Sequence, residues 1–181
     1  NVPVTFALDR AGLVGDDGPT HQGAFDIAYL RCLPNMIVMS PKDENELQRM
    51  TLTAIEYQGP AAVRFPRGSG EGVEMDDEIK PLSIGEAELL REGDDGAIIA
   101  LGPMVGLSME SAAQLEELKI QAAVLNLRFV KPLDEEKILA LAKGCKHIVT
   151  IEEGTRVGGM GSAVVELLAE KGVRDVAVTR L

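Results

Sequence analysis

Arg10, Asp17, His21 and Arg67 are the side chains of this 181-residue chain best placed, by type and neighbours, to do chemistry. Three of them fall in the glycine-rich run Asp9–Asp26, between an apolar strand-like segment and a helix-like one. Polar, glycine-rich loops at the carboxyl ends of buried strands are where open α/β sheets hold their ligands. His21 follows Pro19-Thr20, which suits the start of a helix, with Asp17 or Thr20 as its cap. The positive end of that helix would oppose protonation of the imidazole and keep a neutral hydrogen-bonding group at pH 7. Arg10 and Arg67 each follow a strand-like run, and two guanidinium groups converging from separate strands can grip a phosphate with charge-assisted bonds. Ion pairing on an acidic surface is the competing reading of both. Asp17 stands four residues before His21 and shares its pocket if the loop folds back. Asp16 reads as solvated, Asp9 as a turn cap or a partner that orients Arg10, and Arg64 as structural.

The elements that must position these groups alternate strand and helix. The pattern predicts strands near 3–8, 36–40 and 61–65 with helices near 21–32 and 43–57. Acidic Asp43, Glu44 and Glu46 suit the start of the second helix. A second set follows, with strands near 97–101, 121–127, 147–151 and 173–179 and helices near 106–118, 134–142 and 162–171. Crossovers of this length imply parallel sheets covered by helices, so the fold class is α/β, with two parallel-sheet modules. The run Gly68-Ser69-Gly70-Glu71-Gly72 and the acidic stretch after it mark a linker at 68–84 between modules 1–67 and 85–181. The first module opens on a strand with nothing before it, which leaves a strand edge and an apolar face to be covered.

Composition removes several classes. Eighteen basic against 29 acidic residues give a net charge of −11, and aromatics are 3% of the chain, which argues against nucleic-acid binding. No apolar run approaches the ~20 residues of a membrane span. Cys32 and Cys145, over a hundred residues apart, read as reduced buried thiols, with the cytoplasm or a plastid stroma as compartment. Gly158-Gly159-Met160-Gly161 precedes a helix but lacks the spacing of a dinucleotide fingerprint, and tight packing is its reading. His147 reads as a core or edge histidine, Glu152-Glu153 as solvated or interfacial, and no zinc spacing occurs.

The run DRAGLVG-x-DG-x-THQGAFD, with Tyr29–Pro34, Ser40–Glu46, Ala62–Gly68, Leu127–Asp134 and Gly158–Ser162, resembles the 1-deoxy-D-xylulose-5-phosphate synthases. These are thiamine-diphosphate enzymes of the transketolase superfamily, and the resemblance runs in one register along essentially the whole chain. It implies that residues 1–67 match the second half of a pyrimidine-binding domain. Residues 85–181 would match most of a transketolase-like carboxyl-terminal domain, its last segment absent. It further implies decarboxylative condensation of pyruvate with glyceraldehyde 3-phosphate, the first step of non-mevalonate isoprenoid synthesis. Thiamine diphosphate and Mg2+ would be the cofactors, bound mainly by segments outside this chain, in a homodimer. By the same resemblance His21 and Asp17 are catalytic, Arg10 and Arg67 bind the substrate phosphate, and no residue here is assigned to cofactor or metal. The chain alone is expected to be inactive. Transketolase, the beta subunit of a 2-oxoacid dehydrogenase, and a noncatalytic docking or regulatory module of the same fold are the rival readings.

Overall fold

A computed structural model of the chain describes residues 2–181. Its first sheet takes β1 (Thr5–Leu8), β2 (Ile37–Met39) and β3 (Ala61–Arg64), connected through α1 (Asp26–Leu30) and α2 (Glu44–Glu56). After a long connection come β4 (Glu88–Arg91), β5 (Gly96–Ala100), α3 (Met104–Glu117), β6 (Ala122–Asn126), β7 (Phe129–Lys131), α4 (Glu135–Gly144), β8 (His147–Ile151), α5 (Met160–Glu170) and β9 (Ala177–Arg180). The strand orders are β1-β3-β2-β7 and β4-β6-β5-β8-β9. Both sheets are mainly parallel, as the alternation predicts. Each also carries one antiparallel pair, β2 with β7 and β4 with β6.

Local chemistry accounts for the main elements. Asp43 caps α2 by accepting the Glu46 N–H at 2.7 Å, and Asp134 caps α4 by accepting the Lys137 N–H at 3.0 Å. The buried residues of α2, namely Glu46, Met50, Thr53 and Ala54, fall at helical spacing on the face turned to the sheet. β2, β3 and β6 are buried along their whole length, which is why they read as unbroken apolar runs rather than alternating ones.

Three sequence expectations change here. The helix predicted over 21–32 is the single short helix α1, and His21 lies at a bend five residues ahead of it. The residues before Asp26 are held instead by loop hydrogen bonds, so the helix-dipole argument for His21 does not apply. Cys32 is exposed, and only Cys145 is a buried thiol. The last strand begins at Ala177 rather than near 173, because a turn first carries the chain past the end of α5.

The two halves are more interlocked than a linker implies. Arg128 adopts φ 60°, which turns the chain out of the second sheet so that Phe129–Lys131 pairs with β2 of the first. One apolar core spans both halves, with Ile27, Met36 and Val38 packed in the same cluster as Ile99, Leu125 and Ile148. Beside it, the buried Glu46 carboxylate accepts from Arg128 Nε at 2.7 Å, Asn126 Nδ2 at 2.9 Å and the Lys42 N–H at 2.8 Å. That ties α2 to the second sheet through a buried charge whose partners satisfy it.

Candidate functional site

The site forms where β1 and β3 end side by side. The Ala11 N–H donates to Phe65 O at 3.0 Å, so the segments bearing Arg10 and Arg67 leave the sheet together. Beyond Ala11 the chain makes a loop whose neck is closed by reciprocal backbone bonds between Gly12 and Gly23, at 3.0 and 2.9 Å. A Cβ on Gly23 would sit 2.3 Å from Arg10 O, so only glycine permits this closure. Inside the loop the Gln22 side chain takes the place of missing secondary structure. Its Oε1 accepts the Val14 N–H at 2.7 Å, and its Nε2 donates to Val14 O at 2.8 Å and Gly18 O at 2.7 Å. Gln22 carries no role in the sequence reading, although a glutamine directly before Gly23 in a glycine-rich loop is the available signal.

The loop presents Asp17, on a single 3-10 turn Gly15–Asp17, to both arginines. Arg10 Nε donates to Asp17 Oδ2 at 2.6 Å, and Arg67 Nη1 pairs with Asp17 Oδ1. Arg10 also pairs with Asp9. The hydrogen bond from Arg10, reinforced by Arg67 against desolvation, holds the Asp17 carboxyl below its ordinary range, and Asp17 with Asp9 holds Arg10 above its own. Arg10 and Arg67 line a cleft of about 460 Å³ with Lys42, Leu47 and Phe65. Their remaining guanidinium N–H groups meet no protein acceptor among the described residues, leaving donors for an anion. His21 is exposed, and its one hydrogen bond among the described residues is with Thr20, its Nδ1 lying 2.9 Å from the hydroxyl. The structure thus brings together Arg10, Asp17 and Arg67, and leaves His21 on the same loop outside that group.

Arg64 supports the site from below. It is 2% exposed, its Nε donates to Asp26 Oδ2 at 2.8 Å, and its Nη2 donates to Gly23 O at 3.2 Å and Glu153 O at 3.0 Å. One buried guanidinium therefore joins the start of α1, the neck of the loop and the second half of the chain. Of the solvated or interfacial reading of Glu152-Glu153, the solvated alternative fails for Glu152, whose buried carboxylate accepts the Met160 and Gly161 N–H groups at 2.8 and 2.9 Å. That internal anion occupies the start of α5, so the glycine run there has no vacancy for a phosphate. Glu153 is half-buried against Gly12, and burial raises its carboxyl above the ordinary range despite the attraction of Arg64. His147 is exposed at the start of β8. Among the described residues no group of three or more His, Cys, Asp or Glu could hold a metal, and no helix is long and apolar enough to cross a membrane.

Two mainly parallel sheets sharing one core, with a cleft lined by charged side chains of both signs at adjacent strand ends, define an α/β protein. The description "Transketolase, pyrimidine binding domain" matches residues 1–71, and "Transketolase, C-terminal domain" matches residues 85–181. The chain belongs to the transketolase family. Over all 181 residues it is 58% identical to 1-deoxy-D-xylulose-5-phosphate synthase 1 of Geobacter metallireducens, covering 100% of this chain and 29% of that protein. It is 56% identical over 179 residues to the 1-deoxy-D-xylulose-5-phosphate synthase of Heliobacterium modesticaldum, covering 99% and 28%. The chain thus spans less than a third of the length of these relatives. Among solved structures, a split-gene transketolase described as an inactive beta4 tetramer is 34% identical with a TM-score of 0.86, covering 98% of this chain and 56% of that one. The transketolase of Campylobacter jejuni shares the fold at 22% identity and a TM-score of 0.64, covering 83% and 24%.

Proposed function

We propose that this chain is the acceptor-binding part of a 1-deoxy-D-xylulose-5-phosphate synthase, which condenses pyruvate with glyceraldehyde 3-phosphate and releases carbon dioxide. The observation that carries this reading is the convergence of Arg10 and Arg67, from separate strands, on one cleft with guanidinium donors to spare. Planar forks of this kind suit the oxygens of a phosphate. Identities of 56–58% with synthases along the whole chain support the same assignment. In it, Arg10 and Arg67 hold the acceptor phosphate, and Asp17 sets the spacing of the two forks. Asp17 and His21 are the catalytic candidates, His21 able to move a proton at the acceptor's carbonyl oxygen.

Membership of the transketolase family implies thiamine diphosphate and Mg2+, the cofactor serving as an electron sink for the carbanion. The described residues do not fit the metal-bound diphosphate. Three of the cleft's carboxylates are already engaged, Asp9 by Arg10, Asp43 by the start of α2 and Glu44 by backbone N–H groups. No group of three among the described residues could hold a metal, and the glycine-rich start of α5 is filled by Glu152. No step is therefore assigned to this chain through that group. Without it the isolated chain is inactive and binds no thiamine diphosphate at micromolar affinity, a reading supported by the inactive state named for the split-gene transketolase. The division into 1–67, a 68–84 linker and 85–181, a homodimeric assembly, and a location in a bacterial cytoplasm or a plastid stroma complete the proposal. The test is carbon dioxide release from pyruvate by the full-length gene product with thiamine diphosphate and Mg2+. Release that depends on glyceraldehyde 3-phosphate and yields a pentulose phosphate is the expected result. Ketol transfer from a ketose phosphate instead would make the protein a transketolase, and neither activity would make it a docking module.

A further inference from the structure

Residues 68–83 contain no helix or strand, yet they are laced along one face of α2. Asn45 Oδ1 accepts the Asp76 N–H at 2.9 Å, Arg49 Nε donates to Lys80 O at 3.2 Å, and Thr53 Oγ1 accepts the Leu82 N–H at 2.7 Å. The anchor nearest the cleft differs in kind. There the Glu44 carboxylate accepts from three successive backbone N–H groups, those of Glu71 at 3.0 Å, Gly72 at 2.7 Å and Val73 at 3.1 Å. Successive N–H groups converging in this way make a concavity that attracts anions, and here a side chain from the helix fills it. Between Arg67 and these amides stand only Gly68, Ser69 and Gly70, which make no hydrogen bond among the described residues. A Cβ on Gly70 would lie 2.7 Å from Glu44 Oε1, so a side chain there would press on the carboxylate. Glu44, the three residues Gly68–Gly70 and Glu71 line the same cleft as Arg10 and Arg67.

Arg67 is half exposed, and among the described residues its side chain is tied only to Asp17. Its backbone is fixed on one side by β3, where the Phe65 N–H donates to Leu8 O at 3.0 Å. On the other side the first fixed point is the Glu44 anchor. Its own N–H holds the Glu44 carboxyl below the ordinary range, with help from those of Gly72, Glu71 and Val73 and against desolvation, so the anchor is charged at neutral pH. A clamp mounted between two fixed points loses less freedom on gripping its ligand than one mounted at a single point.

We propose that Glu44 is a positioning residue for the acceptor phosphate, setting the place of Arg67 by holding the 71–73 amides against α2. The inference rests on the reading of Arg10 and Arg67 as the phosphate clamp.

The test uses the full-length gene product with thiamine diphosphate and Mg2+, with glyceraldehyde 3-phosphate and unphosphorylated glyceraldehyde as alternative acceptors. Glu44→Ala is expected to raise the KM for glyceraldehyde 3-phosphate about tenfold and to speed exchange of the 71–73 amides. The KM for pyruvate and kcat at saturating acceptor should stay within about twofold, so the preference for the phosphorylated acceptor falls by the same factor. Glu44→Gln, with one acceptor oxygen left, should lie between. Gly70→Ala, which crowds the carboxylate without altering residue 44, should move the KM in the same direction by less, and Glu44→Gln carries the test if Glu44→Ala does not fold. Faster amide exchange with an unchanged KM would overturn the inference, as would an equal loss for both acceptors. A wild-type protein with no aldehyde-dependent decarboxylation would overturn the reading of the site and this inference with it, a failure visible before any substitution is made.

Discussion

At the scale of single residues, the site is a balance of charges in which each group's role depends on its neighbour. Asp17 joins two arginines that would otherwise repel one another, and its lowered carboxyl keeps that link through the neutral range. If the two arginines form the proposed phosphate clamp, Arg67→Ala removes one fork and leaves Arg10 alone. The KM for glyceraldehyde 3-phosphate should rise about 10- to 100-fold, with the KM for pyruvate little changed, in steady-state assays of the full-length product. Arg67→Lys should recover only part of the loss, because an ammonium group cannot make paired planar contacts. Glu153 behaves in the opposite sense to Asp17. Its folded-state carboxyl is raised by burial, so the folded protein favours the protonated form. Stability is then full below the ordinary carboxylate range and is lost as pH rises from there through the raised value. Glu153→Gln removes that penalty. Melting should show a gain of about 0.5 kcal/mol or less at pH 7.5, since the group is partly solvated, and no gain at pH 4. A gain of the same size at both pH values would mean that packing rather than charge is responsible.

Between residues and the whole lie the elements, and there Arg64 decides how the loop is held. It ends β3, an otherwise apolar strand, and its buried guanidinium bonds α1, the loop neck and the segment after β8. Removing one partner of a buried ion pair leaves the other charge uncompensated, so Arg64→Ala should cost about 3–5 kcal/mol in urea unfolding. The double variant Arg64→Met with Asp26→Leu should cost less than either single truncation, because it leaves no orphan charge. This element also shows what could be read beforehand. The placing of Arg10 and Arg67 at neighbouring strand ends was legible, because charges and glycines cluster where apolar runs stop, whereas Asp17 reads as a partner of His21 and instead joins the two arginines. Arg64 was legible only as structural, since nothing in its neighbourhood marks it as the tie between loop and second half. The early helix start assigned around His21 failed because the side chain of Gln22, rather than a helical turn, satisfies the loop's backbone. β7 escaped notice because a three-residue strand is specified by its distant partner, not by its own pattern.

For the molecule as a whole, the question is whether its halves fold independently, as a linker at 68–84 would allow. The four-stranded sheet ends on β7, which belongs to the second half, and without it β2 becomes an open edge. The shared core would also be split, uncovering Ile27, Met36 and Val38, which now pack with Ile99 and Leu125. Glu46 would lose Asn126 and Arg128 and keep only Lys42 of the partners that now satisfy its charge. The second half is better provided, since all five strands of its sheet come from residues 88–180. Residues 1–84 made alone should therefore fail to fold, showing weak circular dichroism and association on size exclusion. Residues 85–181 made alone should keep cooperative unfolding at reduced stability, exposing the apolar surface that the first half covers. Mixing the two pieces should restore protection of the β2 amides in hydrogen exchange, because β7 supplies their missing edge. A monomeric 1–84 piece with its β2 amides already protected would show that pairing with β7 follows folding of the first half rather than enabling it.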